Sequence, residues 1–202
     1  MDDYYEDEYT YDDNDYSIRE SDNAFSRSLS YQVIRTVDLH KVREQLINEA
    51  MEFLCLSKDE TTLVMINYQW NMEKIRDLWY ENVDGNKVKC GIGLSNSTLN
   101  FFKKEKILSS TKYCLVCFAD YDKDTFYFLQ CGHNFCNDCW SGHLESKTED
   151  ILTMISATCP QQGCPLVVPE SIFRKFLCKN SLEIMNKAIL KNFTDNNSDL
   201  KW

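Results

Sequence analysis

The chain begins MDDYYEDEYTYDDND, which lacks the basic start and apolar run of a secretory signal. It also lacks any uncharged apolar stretch long enough to cross a bilayer. These two absences place the expected protein in the cytosol or nucleus, with no membrane partner. Basic residues are almost missing before Ala24, where ten acidic residues face Arg19 alone and carry −9 of the chain's net −10. Phosphate binding needs lysine and arginine, so nucleic acid is not an expected partner. The same segment holds almost no aliphatic side chains and cannot bury enough surface to offset its ordering entropy, so residues 1–28 are expected to be a disordered acidic tail. Cys90-Gly-Ile-Gly93 has two glycines but no phosphate-loop spacing and is read as linker.

Cysteine, by contrast, is plentiful, and eight zinc-type ligands fall in one stretch: Cys114, Cys117, Cys131, His133, Cys136, Cys139, Cys159 and Cys164. A disulfide framework would need an oxidising compartment, to which nothing here points. Paired thiols in a reducing compartment read as metal ligands, and eight suffice for two closed tetrahedral zinc sites. CLVC and CNDC are both C-x-x-C knuckles. If Cys114, Cys117, Cys136 and Cys139 share one ion, then Cys131 and His133 pair with Cys159 and Cys164, and the sites interleave as a cross-brace. Sequential pairing, four ligands and then four, is the alternative. The one-residue gap in Cys131-Gly-His133, running straight into the second knuckle, favours the cross-brace.

This ligand order resembles a RING domain. The wide last pair, CPQQGC, and the strings LQCGHNFCNDCW and ATCPQQGCPLVVPESIFRKFL resemble the first RING of the RING–between-RING–RING (RBR) ubiquitin ligases. With WNMEKIRDLWYE upstream, they are similar to the Ariadne branch of that family over roughly residues 30–202. The resemblance implies two zinc ions and a surface between the zinc loops that receives a ubiquitin-loaded conjugating enzyme. It puts Val116, within the first knuckle, and Pro160, after the seventh ligand, on that surface. Trp140 follows the sixth ligand, opens an expected helix from Trp140 to Lys147, and is placed with them as a partner contact. A small apolar cluster with a polar rim is how compact interfaces gain their energy.

Upstream, Leu39, Val42, Leu46, Ala50 and Phe53 recur at helical steps and predict one apolar stripe. Ser57-Lys-Asp-Glu60 is a capping-box string opening a second helix. Asn71 can cap a third helix carrying Ile75 and Leu78. Trp70 and Trp79 read as core. Asn82 to Lys89 reads as a turn centred on Asp84-Gly85, and Leu99 to Lys106 as a short amphipathic piece. The YQWNMEKIRDLWYE region resembles the ubiquitin-associated-like (UBA-like) domain of the Ariadne ligases. That resemblance implies engagement of a cullin-type ligase carrying a ubiquitin-like modifier; a purely structural bundle is the competing reading.

The expected fold is therefore α+β, small and zinc-stabilised: a three-helix UBA-like bundle, a cross-brace RING and a C-terminal helix. The expected segments are 1–28 acidic tail, 30–92 UBA-like domain, 93–110 linker, 111–168 first RING, and 169–202 helical linker toward a central zinc domain. No catalytic residue is assigned. Cys55 and Cys178 read as small buried hydrophobes, Cys90 lies in the linker, and His40 and His143 lack an adjacent acid or thiol. KNFTDNNSDLKW resembles the end of the family's first linker, so the chain reads as the front of a longer ligase whose thioester-forming cysteine lies outside it. Pro165, Leu166 and Val167 follow the last ligand, where simple RINGs often carry a cation that clamps ubiquitin. The competing reading is a non-catalytic module that holds a loaded conjugating enzyme without completing transfer.

Overall fold

A computed structural model describes residues 33–93, 113–120, 125–197 and 200. The acidic tail, the Leu99 to Lys106 piece and Trp202 lie outside these residues. Helix dominates. Among the described residues, strand is confined to the antiparallel pair β1 (Phe126–Tyr127) and β2 (Phe135–Cys136), in register Phe126 to Cys136. No helix among the described residues is long and apolar enough to cross a membrane.

Helix α1 (Thr36–Leu54) buries Leu39, Arg43, Ile47, Ala50 and Leu54. The expected stripe shares only Leu39 and Ala50 with this line. Val42 is 39% exposed, while Arg43 is 3% exposed. A charged residue in the core is invisible to apolar periodicity, and it displaced the expected face by one position. Cys55 ends α1 in the left-handed region at φ 53° and is exposed, a correction to its reading as a buried hydrophobe.

Helix α2 (Lys58–Asn67) starts with the expected capping box. Ser57 Oγ accepts from the Glu60 N–H, and Glu60 Oε2 accepts from the Ser57 N–H at 3.1 Å. Replacing Ser57 with alanine should lower the stability of the chain by about 1 kcal/mol, read as a shift of the urea midpoint at unchanged slope. Gln69 and Trp70 turn the chain in two successive left-handed conformations, uncommon outside glycine. The indole of Trp70 compensates by donating Nε1–H to Asn192 Oδ1 at 2.9 Å and packing edge-on against Phe193. Asn71 caps α3 (Met72–Leu78), which buries Ile75 but leaves Leu78 exposed. Trp70 and Trp79 are both buried, as read.

Two stretches differ from their local reading. The expected turn at Asn82 to Lys89 is helix α4 (Val83–Lys89), started by the Asn82 side chain accepting from the Gly85 N–H. Asn86 also donates its side-chain amide to Leu78 O and Trp79 O, which ties α4 to α3. The string read as linker is an anchor. Cys90 and Ile92 are buried, and Gly91 O accepts from the Val167 N–H at 2.9 Å. Gly91 has φ +68°, and a Cβ there would sit 2.3 Å from Val167 Cγ2, so only glycine fits this approach.

Downstream lie α5 (Asn137–Glu145), α6 (Ile151–Ile155), α7 (Glu170–Phe176) and α8 (Lys179–Asp195). The expected helical segment 169–202 is interrupted at Leu177 and Cys178. Leu177 is extended, and Cys178 caps α8 and is exposed, not buried. Its N–H donates to Glu145 Oε1 at 3.0 Å, which links α8 to α5. Helix α8 joins the two hydrophobic cores. Met185, Ala188 and Ile189 pack with Trp140, Leu144 and Met154. Leu190 and Phe193 pack with Ile47, Val64 and Trp79. Two long-range contacts reinforce the junction: the Trp70–Asn192 hydrogen bond and an ion pair of Arg43 with Glu170 at 2.6 Å.

Candidate metal centres

The eight ligand residues gather into two groups. Cys114, Cys117, Cys136 and Cys139 form one, and Cys131, His133, Cys159 and Cys164 the other, with ligand atoms in each group all within 4.8 Å of one another. The grouping alternates along the chain. Local structure explains how neighbouring ligands serve different groups. Gly132 adopts φ 76° between Cys131 and His133. The chain then enters β2, which delivers Cys136 beside the Cys114 knuckle. Cys136 also caps α5, its Sγ accepting from the Cys139 N–H at 3.4 Å, so the next ligand lies on the first helical turn. Helix α5 begins at Asn137, three residues ahead of the expected start at Trp140, because the ligand itself is the cap.

The spacing suits zinc. Zn–S bonds of about 2.3 Å in a tetrahedron put sulfurs about 3.8 Å apart, and an imidazole nitrogen slightly closer. Cys117 Sγ and Cys136 Sγ are 3.5 Å apart, and Cys131 Sγ and Cys159 Sγ 3.7 Å. His133 Nδ1 lies 3.6 Å from Cys159 Sγ. Each group offers four soft or borderline donors and no place for a substrate, which is the chemistry of a structural site.

Packing four thiols together in one group, and three thiols with an imidazole in the other, makes strong mutual interactions. Burial opposes ionisation of Cys114, but the backbone N–H groups of Cys117, Cys136 and Val116 outweigh it and bring the thiol to about 6. Cys139 is pushed up by burial and by its three neighbours. In the second group, hydrogen bonds from Cys159 and Cys164 hold Cys131 well below the ordinary thiol range, and Cys159 is raised in turn. Burial would lower His133, yet the sulfurs of Cys131 and Cys164 raise it to about 9. The thiolates of Cys114 and Cys131 are thus favoured while those of Cys139 and Cys159 are disfavoured; a dication would stabilise both kinds at once.

The three residues expected on the partner surface are placed differently. Val116 is 56% exposed, and Pro160 is partly exposed. Trp140 is fully buried, a correction to its assignment as a contact. Its indole donates to Tyr127 O at 2.9 Å and stacks on Phe176 at 5.9 Å, so it supports the zinc loops from beneath. Sequence reasoning missed Leu115 and Phe118, 41% and 73% exposed on either side of Val116. Their position flanking and inside the first knuckle was the available signal. Leu166, after the last ligand, is 4% exposed and belongs to the core.

A sequence profile described as "Zinc finger, C3HC4 type (RING finger)" matches residues 113–149, which carry six of the eight ligands. Cys159 and Cys164 join them through the geometry. These residues are thus similar to a RING-type zinc finger, with two four-ligand groups that could each hold a metal ion. The chain is 24% identical to the probable E3 ubiquitin-protein ligase ARI9 of Arabidopsis thaliana over 90% of its own length and 34% of the relative's. It is 28% identical to the probable E3 ubiquitin-protein ligase rbrA of Dictyostelium discoideum over 96% and 37%. It is 25% identical to the E3 ubiquitin-protein ligase dbl4 of Schizosaccharomyces pombe over 95% and 36%. The resemblance to Ariadne-type RBR ligases thus extends over most of the chain, which spans about a third of the length of the curated relatives it matches.

Proposed function

We propose that this chain is a segment of an RBR-type ubiquitin ligase, in which the RING binds two zinc ions and recruits a ubiquitin-loaded conjugating enzyme. The supporting observation is the alternating pair of four-ligand groups beneath an exposed apolar knuckle. Cys114, Cys117, Cys136 and Cys139 hold one ion; Cys131, His133, Cys159 and Cys164 hold the other. The ions fold the loops and take no part in bond making. Leu115, Val116 and Phe118, with Pro160, form the docking face. A valine side chain there buries little within its own chain, so its area is free for a partner.

In this reading residues 30–92 are the UBA-like domain that engages a ubiquitin-like modifier on a cullin-type ligase, with α4 as an addition to the three helices. Residues 111–168 are the first RING, 93–110 the linker before it, and 169–202 lead to a central zinc domain. The acidic segment 1–28 is a tail, and the protein acts in the cytosol or nucleus. Val116→Arg should weaken binding of a conjugating enzyme at least tenfold, measured by calorimetry, while zinc content and melting temperature stay unchanged, since exposed positions are thermodynamically tolerant. Unchanged affinity would remove Val116 from the docking face.

A second reading is favoured by the residues after Cys164. Pro165, Leu166 and Val167 offer no cation to clamp ubiquitin, and the thiol of Cys90 is buried and raised to about 11, unsuited to nucleophilic attack. On this reading the chain by itself presents the loaded enzyme without transferring its cargo. Rapid discharge of ubiquitin to free lysine in the presence of the chain would overturn it.

A further inference from the structure

A groove of about 610 Å³ lies between α2 and the residues that follow β1. Sites for small ligands and short peptide anchors fall in the range of about 300–1,000 Å³. Its floor is apolar and comes from four separate places in the chain: Leu63 on α2, Ile92, Leu129 and Ile172 on α7. Long-range contacts join its walls, among them the Ser171–Asp59 hydrogen bond. The Gly91–Val167 hydrogen bond and the Arg43–Glu170 ion pair also connect the helical part to the part that carries the ligand groups. The groove is therefore a built feature of the fold.

The charged residues among its described lining are acidic. Asp59 and Glu60, in the first turn of α2, line it, and the described lining residues include no lysine, arginine or histidine. Of the neighbouring cations, Lys58 pairs with Glu44 and Arg174 with Glu170 and Asn186, while Lys175 lies over the rings of Phe176 and of Tyr127, which lines the groove. Asp59 uses Oδ2 for Ser171, and Glu60 uses Oε2 for Ser57, so each carboxylate keeps an oxygen for a further donor. Across the mouth Phe128 is 56% exposed. The groove shares no lining residue with Leu115, Val116, Phe118 and Pro160.

We propose that this groove is a docking site for a short peptide segment carrying a lysine or arginine beside apolar side chains, the apolar groups seated on Leu63, Ile92, Leu129 and Ile172 and the cation at Asp59 and Glu60. Charge complementarity selects this occupant. The chain's own acidic segment before Ala24, with nine surplus negative charges, would be repelled. The site is independent of the conjugating-enzyme face and does not rest on that assignment.

The test uses the zinc-loaded full chain and three synthetic twelve-residue peptides with the same leucine and phenylalanine core, flanked by two lysines, two glutamates or two serines. Methyl NMR reads the resonances of Leu63, Ile92, Leu129 and Ile172. The lysine peptide should shift these methyls and bind about tenfold more tightly than the glutamate peptide at low salt, with the gap narrowing as salt screens it. The double variant Asp59→Asn, Glu60→Gln should abolish the preference; glutamine at the third helical position keeps the capping box, so the fold is spared. Phe128→Ser, at an exposed position, should weaken all binding. Equal affinity for the glutamate peptide, shifts confined to the Val116 face, or no shift at all would each overturn the proposal.

Discussion

Stripping zinc from the purified chain should unfold the zinc-binding part outright. Cys131, Cys159 and Cys164 are buried in the same cluster as Trp140, Leu144, Met154, Leu166 and Ile189. Without a cation, buried thiols meet within 4.8 Å, and the ionised ones repel one another. Structural zinc contributes roughly 10–16 kcal/mol in small finger peptides, which equals or exceeds the whole stability of an ordinary domain, about 5–15 kcal/mol. The effect should not stop at the ligand-bearing loops. Helix α8 serves both cores, so its loss removes Leu190 and Phe193 from the helical part as well. Titration with a strong chelator should release two zinc ions per chain and erase near-ultraviolet circular dichroism and most helical signal in a single transition. Cys131→Ser should behave like the chelated chain, whereas Cys178→Ser, outside both groups and exposed, should leave the metal content unchanged. Release of one ion, or a folded chain after complete chelation, would refute the two-site assignment.

Breaking the Arg43–Glu170 pair has the second largest expected effect. The guanidinium side chain is 4% exposed and the carboxylate 16%. Removing the acid alone leaves the buried guanidinium with the partly exposed Glu44 at 3.6 Å and the Trp70 ring; breaking a buried pair in this way costs about 3–5 kcal/mol, while replacing both partners with apolar residues is often neutral or stabilising. Glu170→Ala should therefore lower the unfolding free energy by about 3–5 kcal/mol, and Arg43→Met combined with Glu170→Leu should recover most of it. Additive losses in the double variant would contradict this account. The pair also sets a pH dependence. Burial would raise the Glu170 carboxyl, but Arg43, and then Arg174, hold it below the ordinary glutamate value. A carboxyl lowered by folding stabilises fully above its unfolded value, near 4.5, and loses that contribution as pH falls through the folded value. Urea midpoints should drop below pH 4.5 in the parent chain, and less steeply in the double variant.

Much of the site was legible beforehand because metal-ligand chemistry is local. Cys114-x-x-Cys117, Cys131-x-His133, Cys136-x-x-Cys139 and Cys159 to Cys164 each occupy a few residues, and the one-residue gap around Gly132 anticipated the alternation. The misreadings share a cause. Cys55 and Cys178 stand among apolar neighbours, so their surroundings in sequence suggested burial; both instead sit at helix ends, where the chain turns outward. Trp140 stands beside a ligand, which suggested a surface, yet α5 points it into the ring cluster of Tyr127, Phe135 and Phe176. Asp84-Gly85 suggested a turn, but the preceding Asn82 supplied a cap and Asn86 a tether, and a helix formed.

What the amino-acid order determined by itself is the chemistry that acts over a few residues: the identity and spacing of eight soft ligands, the Ser57–Glu60 box, the Asn71 cap, and the placing of charge before Ala24. Only the tertiary structure decided that Arg43 lies in the core, that Cys90 to Gly93 is an anchor, and that α8 joins two cores. Each of these depends on a partner far along the chain, as with Arg43 and Glu170, 127 residues apart, or Trp70 and Asn192, 122 apart. Glu44 beside Arg43 reaches it at 3.6 Å, but the buried counter-charge at 2.6 Å is Glu170, which no window of sequence around Arg43 contains.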